Sequence, residues 1–119
     1  MAELDLDRLR KRFGTDAIVL RVLASCIEET KLDFARLDSM PVPHSGHEMG
    51  AWLHHVLGGM SVILSGHLIE RGREVELSLH EHGQSDQRIP DELLHDIREA
   101  FLAMVQLHDS LAPGRTSES

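Results

Sequence analysis

The chain has 119 residues, of which 41% are hydrophobic but only 3% aromatic, and its formal net charge is −8. This length suits one domain, and a core built mainly from aliphatic side chains favours helices packed on helices. The acidic balance excludes nucleic acid as an expected partner, because binding to a phosphate backbone needs clustered Lys and Arg side chains.

The first half of the chain predicts two helices. Leucines interleaved with charges near the N-terminus indicate a short first helix that stops near Gly14, and Thr15 or Asp16 can cap a long second helix. The apolar stripe of this second helix comprises Leu20, Leu23, Ile27, Phe34 and Leu37. Residues 40–43, Met-Pro-Val-Pro, cannot continue it, because proline lacks the amide donor and restricts the residue before it.

A third helix is predicted to begin at residues 45–48, Ser-Gly-His-Glu, which have the form of a capping box. Its apolar stripe comprises Leu53, Val56, Leu57, Met60, Ile63 and Leu64. His55 lies off this stripe, about 100° around the helix from Val56. Gly58 and Gly59 each cost a helix roughly 1 kcal/mol relative to alanine, so the pair needs a compensating reason. Access of another molecule to a neighbouring histidine is one such reason.

The second half predicts two further helices. A break at residues 65–66 precedes a fourth helix that runs to about His82 and is closed by Gly83. Pro90 suits the first turn of a last helix, whose apolar stripe comprises Leu94, Ile97, Phe101, Met104, Leu107 and Leu111. The tail, residues 113–119, has nothing to bury and is predicted to be disordered. We therefore expect one all-α domain over residues 1–112, an antiparallel four-helix bundle with a short additional N-terminal helix.

The chain resembles a histidine-containing phosphotransfer (HPt) domain of a multistep phosphorelay in two respects. The first is the local pattern small-His-x-Leu-Lys-Gly, which His55, Leu57 and Gly59 meet. The second is the layout, since residues 4–16, Leu-Asp-Leu-Asp-Arg-Leu-Arg-Lys-Arg-Phe-Gly-Thr-Asp, and a long helix ending in Phe-Ala-Arg-Leu at residues 34–37 resemble the opening half of such domains. Together the two parts of the resemblance cover nearly the whole chain.

The resemblance implies that the imidazole of His55 accepts a phosphoryl group from an aspartyl phosphate on one receiver domain and passes it to the aspartate of another. A neutral imidazole keeps a nucleophilic nitrogen at physiological pH, which suits this chemistry. The chain needs no cofactor of its own, because Mg²⁺ is expected on the partner receiver domain. We accordingly expect no activity from the chain alone.

The resemblance also implies roles for the neighbours of His55. Gly59 lies one turn further on the same face and clears the approach of the partner's phosphorylated loop. Leu53 and Leu57 turn inward and hold the helix rigid. The residues expected to contact the partner are His54, Gly58 and Gly59.

Gly58 departs from the family pattern, because Lys is common at this position three residues after the acceptor. That cation would help to neutralise the phosphoryl group. Arg71 and Arg73 on the next helix are candidates to supply a positive charge instead. This departure leaves open a second function, in which the domain docks on a receiver without transferring a phosphoryl group.

His54 is the second departure, because a small residue is common immediately before the acceptor. It is also the second choice for the acceptor itself, in which case Gly58 would be the glycine one turn on and Leu57 would replace the cation. The inward-pointing Leu two residues after the acceptor favours His55.

Two other classes of function stay open beside the phosphocarrier. A non-catalytic helical docking module would bind a receiver domain even after His55→Gln, and would carry no acid-labile phosphate. A histidine-rich metal-binding bundle would take up metal, but the remaining histidines lack Glu-x-x-His repeats and paired Cys, so no metal site is expected. Asp38, Glu48 and residues 71–74 are expected to be solvated charges.

The cellular setting follows from three sequence features. The single Cys26 cannot form an internal disulfide and fits a reducing compartment and a buried structural role. No stretch approaches the ~18 apolar residues of a membrane span, and no signal-peptide pattern is present. We expect a cytoplasmic protein without direct membrane contact, monomeric as an isolated domain. It is either a separate carrier or the cytoplasmic part of a membrane-anchored hybrid sensor histidine kinase.

Overall fold

The computed structural model describes residues 4–40, 42 and 44–112 and folds them into five helices. These are α1 (Leu6–Phe13), α2 (Asp16–Ser39), α3 (Gly46–Met60), α4 (His67–Glu81) and α5 (Asp91–Leu111). The described part of the chain contains no strand, and an isolated bridge joins Ser45 and Asp86. The predicted all-α class is confirmed, while the predicted tail, residues 113–119, lies outside the described residues.

Helices α2 and α3 begin at polar caps that the sequence predicts. The side chain of Thr15 accepts a hydrogen bond from the Ile18 amide at the start of α2. At the start of α3, Ser45 Oγ accepts from the Glu48 amide at 3.1 Å and the Glu48 carboxylate accepts from the Ser45 amide at 3.0 Å. The capping box is therefore confirmed, and it orients the helix that carries His55.

Two helix ends differ from the prediction. Helix α3 stops at Met60, one turn early; Ser61 is its C-cap, and Oγ of Ser61 donates to the Gly58 carbonyl at 2.9 Å. Residues 63 and 64 lie in the turn that follows, yet both stay buried. Helix α4 ends with His82 as its cap rather than Gly83, and Gly83 has no positive φ. Gly83 instead packs against His47, whose Nε2 would lie 2.3 Å from a Cβ added there.

The four long helices pack on one another in pairs. Helix α2 contacts α1, α3 and α5, and helix α4 contacts α3 and α5. All six residues of the predicted α3 stripe are buried. Of the predicted α2 stripe only Leu23 and Ile27 are buried, and the buried face of this helix also includes two polar residues, Thr30 and Asp33. Of the predicted α5 stripe only Ile97 and Met104 are buried, together with Leu93 and Ala100.

Gly72 allows α4 to approach α3 closely. A Cβ at this position would lie 2.6 Å from Cδ1 of Leu57, a side chain that is itself fully buried. Leu57 is thereby held between the two helices, two residues after His55 along α3. None of the helices in the described ranges combines the length and the apolar character needed to cross a membrane.

Candidate functional site

His55 lies on α3 with 54% of its side chain exposed, and its Nδ1 lies 2.7 Å from Oδ1 of Asp33 on α2. The Asp33 side chain is only 3% exposed. An ionised carboxylate has no proton to give, so the imidazole Nδ1–H is the donor in this hydrogen bond. The lone pair of the neutral ring then resides on Nε2. The histidine expected to be the acceptor is therefore held as the tautomer in which Nε2 is the nucleophile.

Asp33 makes two further contacts, one within α2 and one to α3. The same Oδ1 accepts from Nη1 of Arg36 at 2.7 Å, and the Asp33 carbonyl oxygen accepts from Nε1 of Trp52. Trp52 is buried and its ring lies 6.2 Å from that of Phe34. The Arg36 bond helps to satisfy the buried carboxylate, and the Trp52 bond helps to set the position of α3 against α2 next to His55.

Cys26 secures the end of α3 beyond His55. Burial raises the pKa of the Cys26 thiol, so it stays protonated at neutral pH, and Sγ donates to the Gly59 carbonyl at 3.4 Å. Thr30 in turn donates to the Cys26 carbonyl at 2.8 Å. Cys26 is a buried free thiol, as the sequence predicts.

Open space surrounds the glycine pair. A Cβ added at Gly58 or Gly59 would meet nothing within 4 Å. The space belongs to a cavity of about 280 Å³, here called the His55 depression, lined by Glu29, Thr30, Asp33, His54, His55, Gly58 and Gly59. All three residues that the sequence nominates as partner contacts therefore lie beside His55.

A larger apolar groove adjoins the His55 depression. This α2 groove has a volume of about 600 Å³ and is lined by Ile18, Arg21, Val22, Ser25, Cys26, Glu29, Gly59 and Val62. Gly59 and Glu29 belong to both cavities. Ile18 and Val62 are exposed despite being apolar. The imidazole thus lies next to a continuous surface on which another molecule can make apolar contacts.

His54 faces a different helix from His55. Its Nδ1 lies 2.8 Å from Oε2 of Glu76 on α4, and the other oxygen of Glu76 accepts from Arg73 at 3.0 Å. His80 Nε2 lies 3.9 Å from the same Glu76 oxygen as His54. The two adjacent histidines are therefore paired with separate carboxylates on opposite sides of α3.

Arg71 and Arg73 do not line the His55 depression. Arg71 pairs with Asp96 on α5, and Arg73 pairs with Glu76. Arg71 and Arg73 are partly exposed, with 36% and 38% of their side chains accessible, and each is held in an ion pair. Neither arginine contacts His55.

The sequence patterns did not identify Asp33 as a site residue, and they assigned Arg36 no individual role. Asp33 follows Cys26 and Thr30 at helical spacing, which places a carboxylate on the inward face of α2. A buried carboxylate needs a partner, so an acidic residue on an apolar stripe is the signal that could have identified it.

The described part of the chain contains no group of three or more His, Cys, Asp or Glu side chains arranged to hold a metal ion.

Comparison with protein-family models, with curated proteins and with solved structures found no match for this chain. The class of protein therefore rests on the fold and on the geometry around His55. Together these define an all-α protein that presents an exposed histidine, hydrogen-bonded to a buried carboxylate, beside two unobstructed glycines.

Alanine at Gly59 is expected to raise the free energy of unfolding by about 0.5–1 kcal/mol, because the glycine has no positive φ and the new Cβ meets nothing. Gly72→Ala is the contrasting variant. It is expected to lower the free energy of unfolding by about 1–3 kcal/mol, because the new Cβ clashes with Leu57. Urea denaturation measures both changes. Destabilisation by Gly59→Ala would contradict the open space beside His55.

Proposed function

We propose that this chain is a histidine-containing phosphotransfer domain, in which His55 carries a phosphoryl group between receiver domains. The observation that carries the proposal is the hydrogen bond from His55 Nδ1 to Asp33, because it leaves Nε2 as the nitrogen with the free lone pair. The fold fits an antiparallel four-helix bundle with a short additional N-terminal helix, since α2 and α4 each contact both α3 and α5.

Transfer begins when Nε2 attacks the phosphorus of a receiver's aspartyl phosphate. The N–P bond forms, the P–O bond breaks, and its electron pair returns to the aspartate carboxylate. The imidazole keeps its Nδ1 proton and so gains positive charge, which the Asp33 carboxylate faces at 2.7 Å. Attack on phosphorus by the aspartate of the second receiver then breaks the N–P bond and returns the electron pair to Nε2. Phosphoryl transfer depends mainly on positioning, which the contacts of Asp33 provide.

The receiver is expected to dock over the glycine pair and the α2 groove. Gly58 and Gly59 leave room for the partner's phosphorylated loop, and Ile18 and Val62 offer exposed apolar contacts next to it. The receiver brings the Mg²⁺ that neutralises the phosphoryl oxygens. In this role the chain works in the cytoplasm, as a separate carrier or as part of a sensor histidine kinase.

Label transfer tests the proposal. The chain is mixed with a receiver carrying radiolabelled aspartyl phosphate, and wild type, His54→Gln and His55→Gln are compared. We expect acid-labile label on wild type and His54→Gln and none on His55→Gln, because only His55 has the Asp33 partner. Loss of label from His54→Gln alone would move the acceptor to His54.

A docking module that binds a receiver without accepting phosphate is the second candidate. It is favoured by the charge of the His55 depression, whose lining includes the carboxylates Glu29 and Asp33 but, among the described residues, no Lys or Arg. Negative charge so close to a phosphoryl group disfavours its binding. This candidate predicts that no variant takes up label, while calorimetry still detects the receiver bound to His55→Gln.

A further inference from the structure

Two donors share one oxygen of the buried carboxylate beside His55. Nδ1 of His55 and Nη1 of Arg36 each lie 2.7 Å from Oδ1 of Asp33. Arg36 follows Asp33 by three residues on α2, and 56% of its side chain is exposed. Because the Asp33 side chain is only 3% exposed, Arg36 helps to satisfy a buried carboxylate, and by sharing Oδ1 it also places a positive charge near the imidazole.

We infer that Arg36 is a positioning residue for His55: by pairing with Asp33 it offsets the negative charge beside the imidazole and so favours the neutral ring, whose Nε2 is the nucleophile. The inference rests on the proposed function of His55 and deepens it.

The physical basis is the charge of Asp33. A carboxylate next to an imidazole favours the doubly protonated, charged ring, and a ring in that form has no lone pair for attack on phosphorus. The guanidinium of Arg36 carries a permanent positive charge at the same oxygen, so it opposes a second positive charge on the ring. The hydrogen bond from Nδ1–H is kept, and the neutral ring is favoured over the charged one.

The other charged groups near the imidazole leave this role to Arg36. Glu29 of α2 also lines the His55 depression and adds negative charge, which favours ring protonation. His54 of α3 lines it too, but its Nδ1 pairs with Glu76 of α4. Arg73 likewise pairs with Glu76. Arg36 is thus the cation that is hydrogen-bonded to the partner of His55.

The pairing of Arg36 with Asp33 also accounts for the glycine at position 58. In the HPt pattern a Lys at this position brings a cation to the acceptor from its own helix. Here the cation reaches the acceptor's environment from α2, through Asp33, and acts on the ring rather than on the phosphoryl oxygens. Position 58 is then free to be glycine and to leave space for the partner.

A proton titration of the isolated chain tests the inference without any receiver. Long-range ¹⁵N–¹H NMR spectra follow the His55 ring in wild type, Arg36→Met, Arg36→Lys and Lys31→Met. Lys31 is the matched control, since it pairs with Glu28 at the same spacing on the same helix, at 3.5 Å. We expect His55 in Arg36→Met to take up its second proton about one pH unit higher, with Arg36→Lys and Lys31→Met close to wild type. An unchanged His55 titration in Arg36→Met would overturn the inference.

The second measurement is label transfer from the phosphorylated receiver as a function of pH, at saturating receiver concentration. Arg36→Met is expected to be about tenfold slower than wild type at low pH, where the charged ring predominates in both forms. At higher pH, where the ring is neutral in both forms, it is expected to match or exceed wild type, because no cation then offsets Asp33 as the ring gains charge. Arg36→Lys should restore most of the rate. A shifted titration with an unchanged pH profile of transfer would remove Arg36 from the transfer step. If no form takes up label, the proposed function fails while the titration result still stands.

Discussion

Asp33→Asn is expected to slow phosphoryl transfer to His55 by about 100-fold while the chain still folds, the order of magnitude that loss of one preorganised electrostatic partner costs at an active site. The amide carries no charge to face the imidazole as it becomes positive. Its NH₂ group can also donate to Nδ1, which would stabilise the tautomer with the proton on Nε2 and remove the nucleophile. Single-turnover label transfer measures the change.

The same substitution is expected to lower the free energy of unfolding by only about 1 kcal/mol. His55 and Arg36 are more than half exposed, so water can solvate both once the carboxylate is gone. The bond from Trp52 goes to the Asp33 backbone and is retained. Asp38→Asn, an exposed carboxylate on the same helix, is the matched control. Wild-type transfer by Asp33→Asn would contradict the mechanism.

A double variant separates the two residues that act on His55. If Arg36 works through Asp33, then Arg36→Met should have little further effect on transfer once Asp33 is Asn. Residues linked through one shared group are expected to be strongly non-additive in this way. Additive losses would indicate that Arg36 acts on the receiver directly.

Gly59→Leu is expected to reduce the efficiency of transfer by about 100-fold without loss of stability. Leucine is a good helix former and its Cβ meets nothing at this position, so the fold accepts it. Its side chain would fill space that belongs to both the His55 depression and the α2 groove. Displacing the receiver by even about 1 Å from the reacting geometry can cost a factor of ~100.

Label transfer at varied receiver concentration and urea denaturation measure the two halves of this prediction. Gln106→Leu on α5 is the control for an added exposed leucine, because it lines neither cavity. Calorimetry with unphosphorylated receiver shows whether the loss lies in docking. Transfer at the wild-type rate by Gly59→Leu would place the docking surface elsewhere.

The fold and the site differ in how much of each could be predicted. The all-α class, the caps at Thr15 and Ser45 and the buried stripe of α3 are confirmed, because each depends on residues within about a turn of one another. The predicted helix ends were less accurate: α3 ends at Met60, although its buried apolar residues continue to Leu64.

The contacts of the two histidines could not be predicted in the same way. They are neighbours on α3 with similar exposure, and the local pattern alone distinguished them. In the structure His55 meets Asp33 on α2, whereas His54 meets Glu76 on α4. Both partners are 22 residues away in sequence, in opposite directions.

By itself the sequence determined that a helix presents His55 away from the core, that Leu53 and Leu57 hold that helix inward, and that two glycines follow the histidine. These properties depend on the 3.6-residue period and on side-chain size, which are local. Only the tertiary structure decided that a buried Asp33 holds Nδ1 and that Arg36 shares its oxygen. That arrangement depends on how α2 packs against α3, and packing is set by all the contacts between the helices rather than by any short pattern.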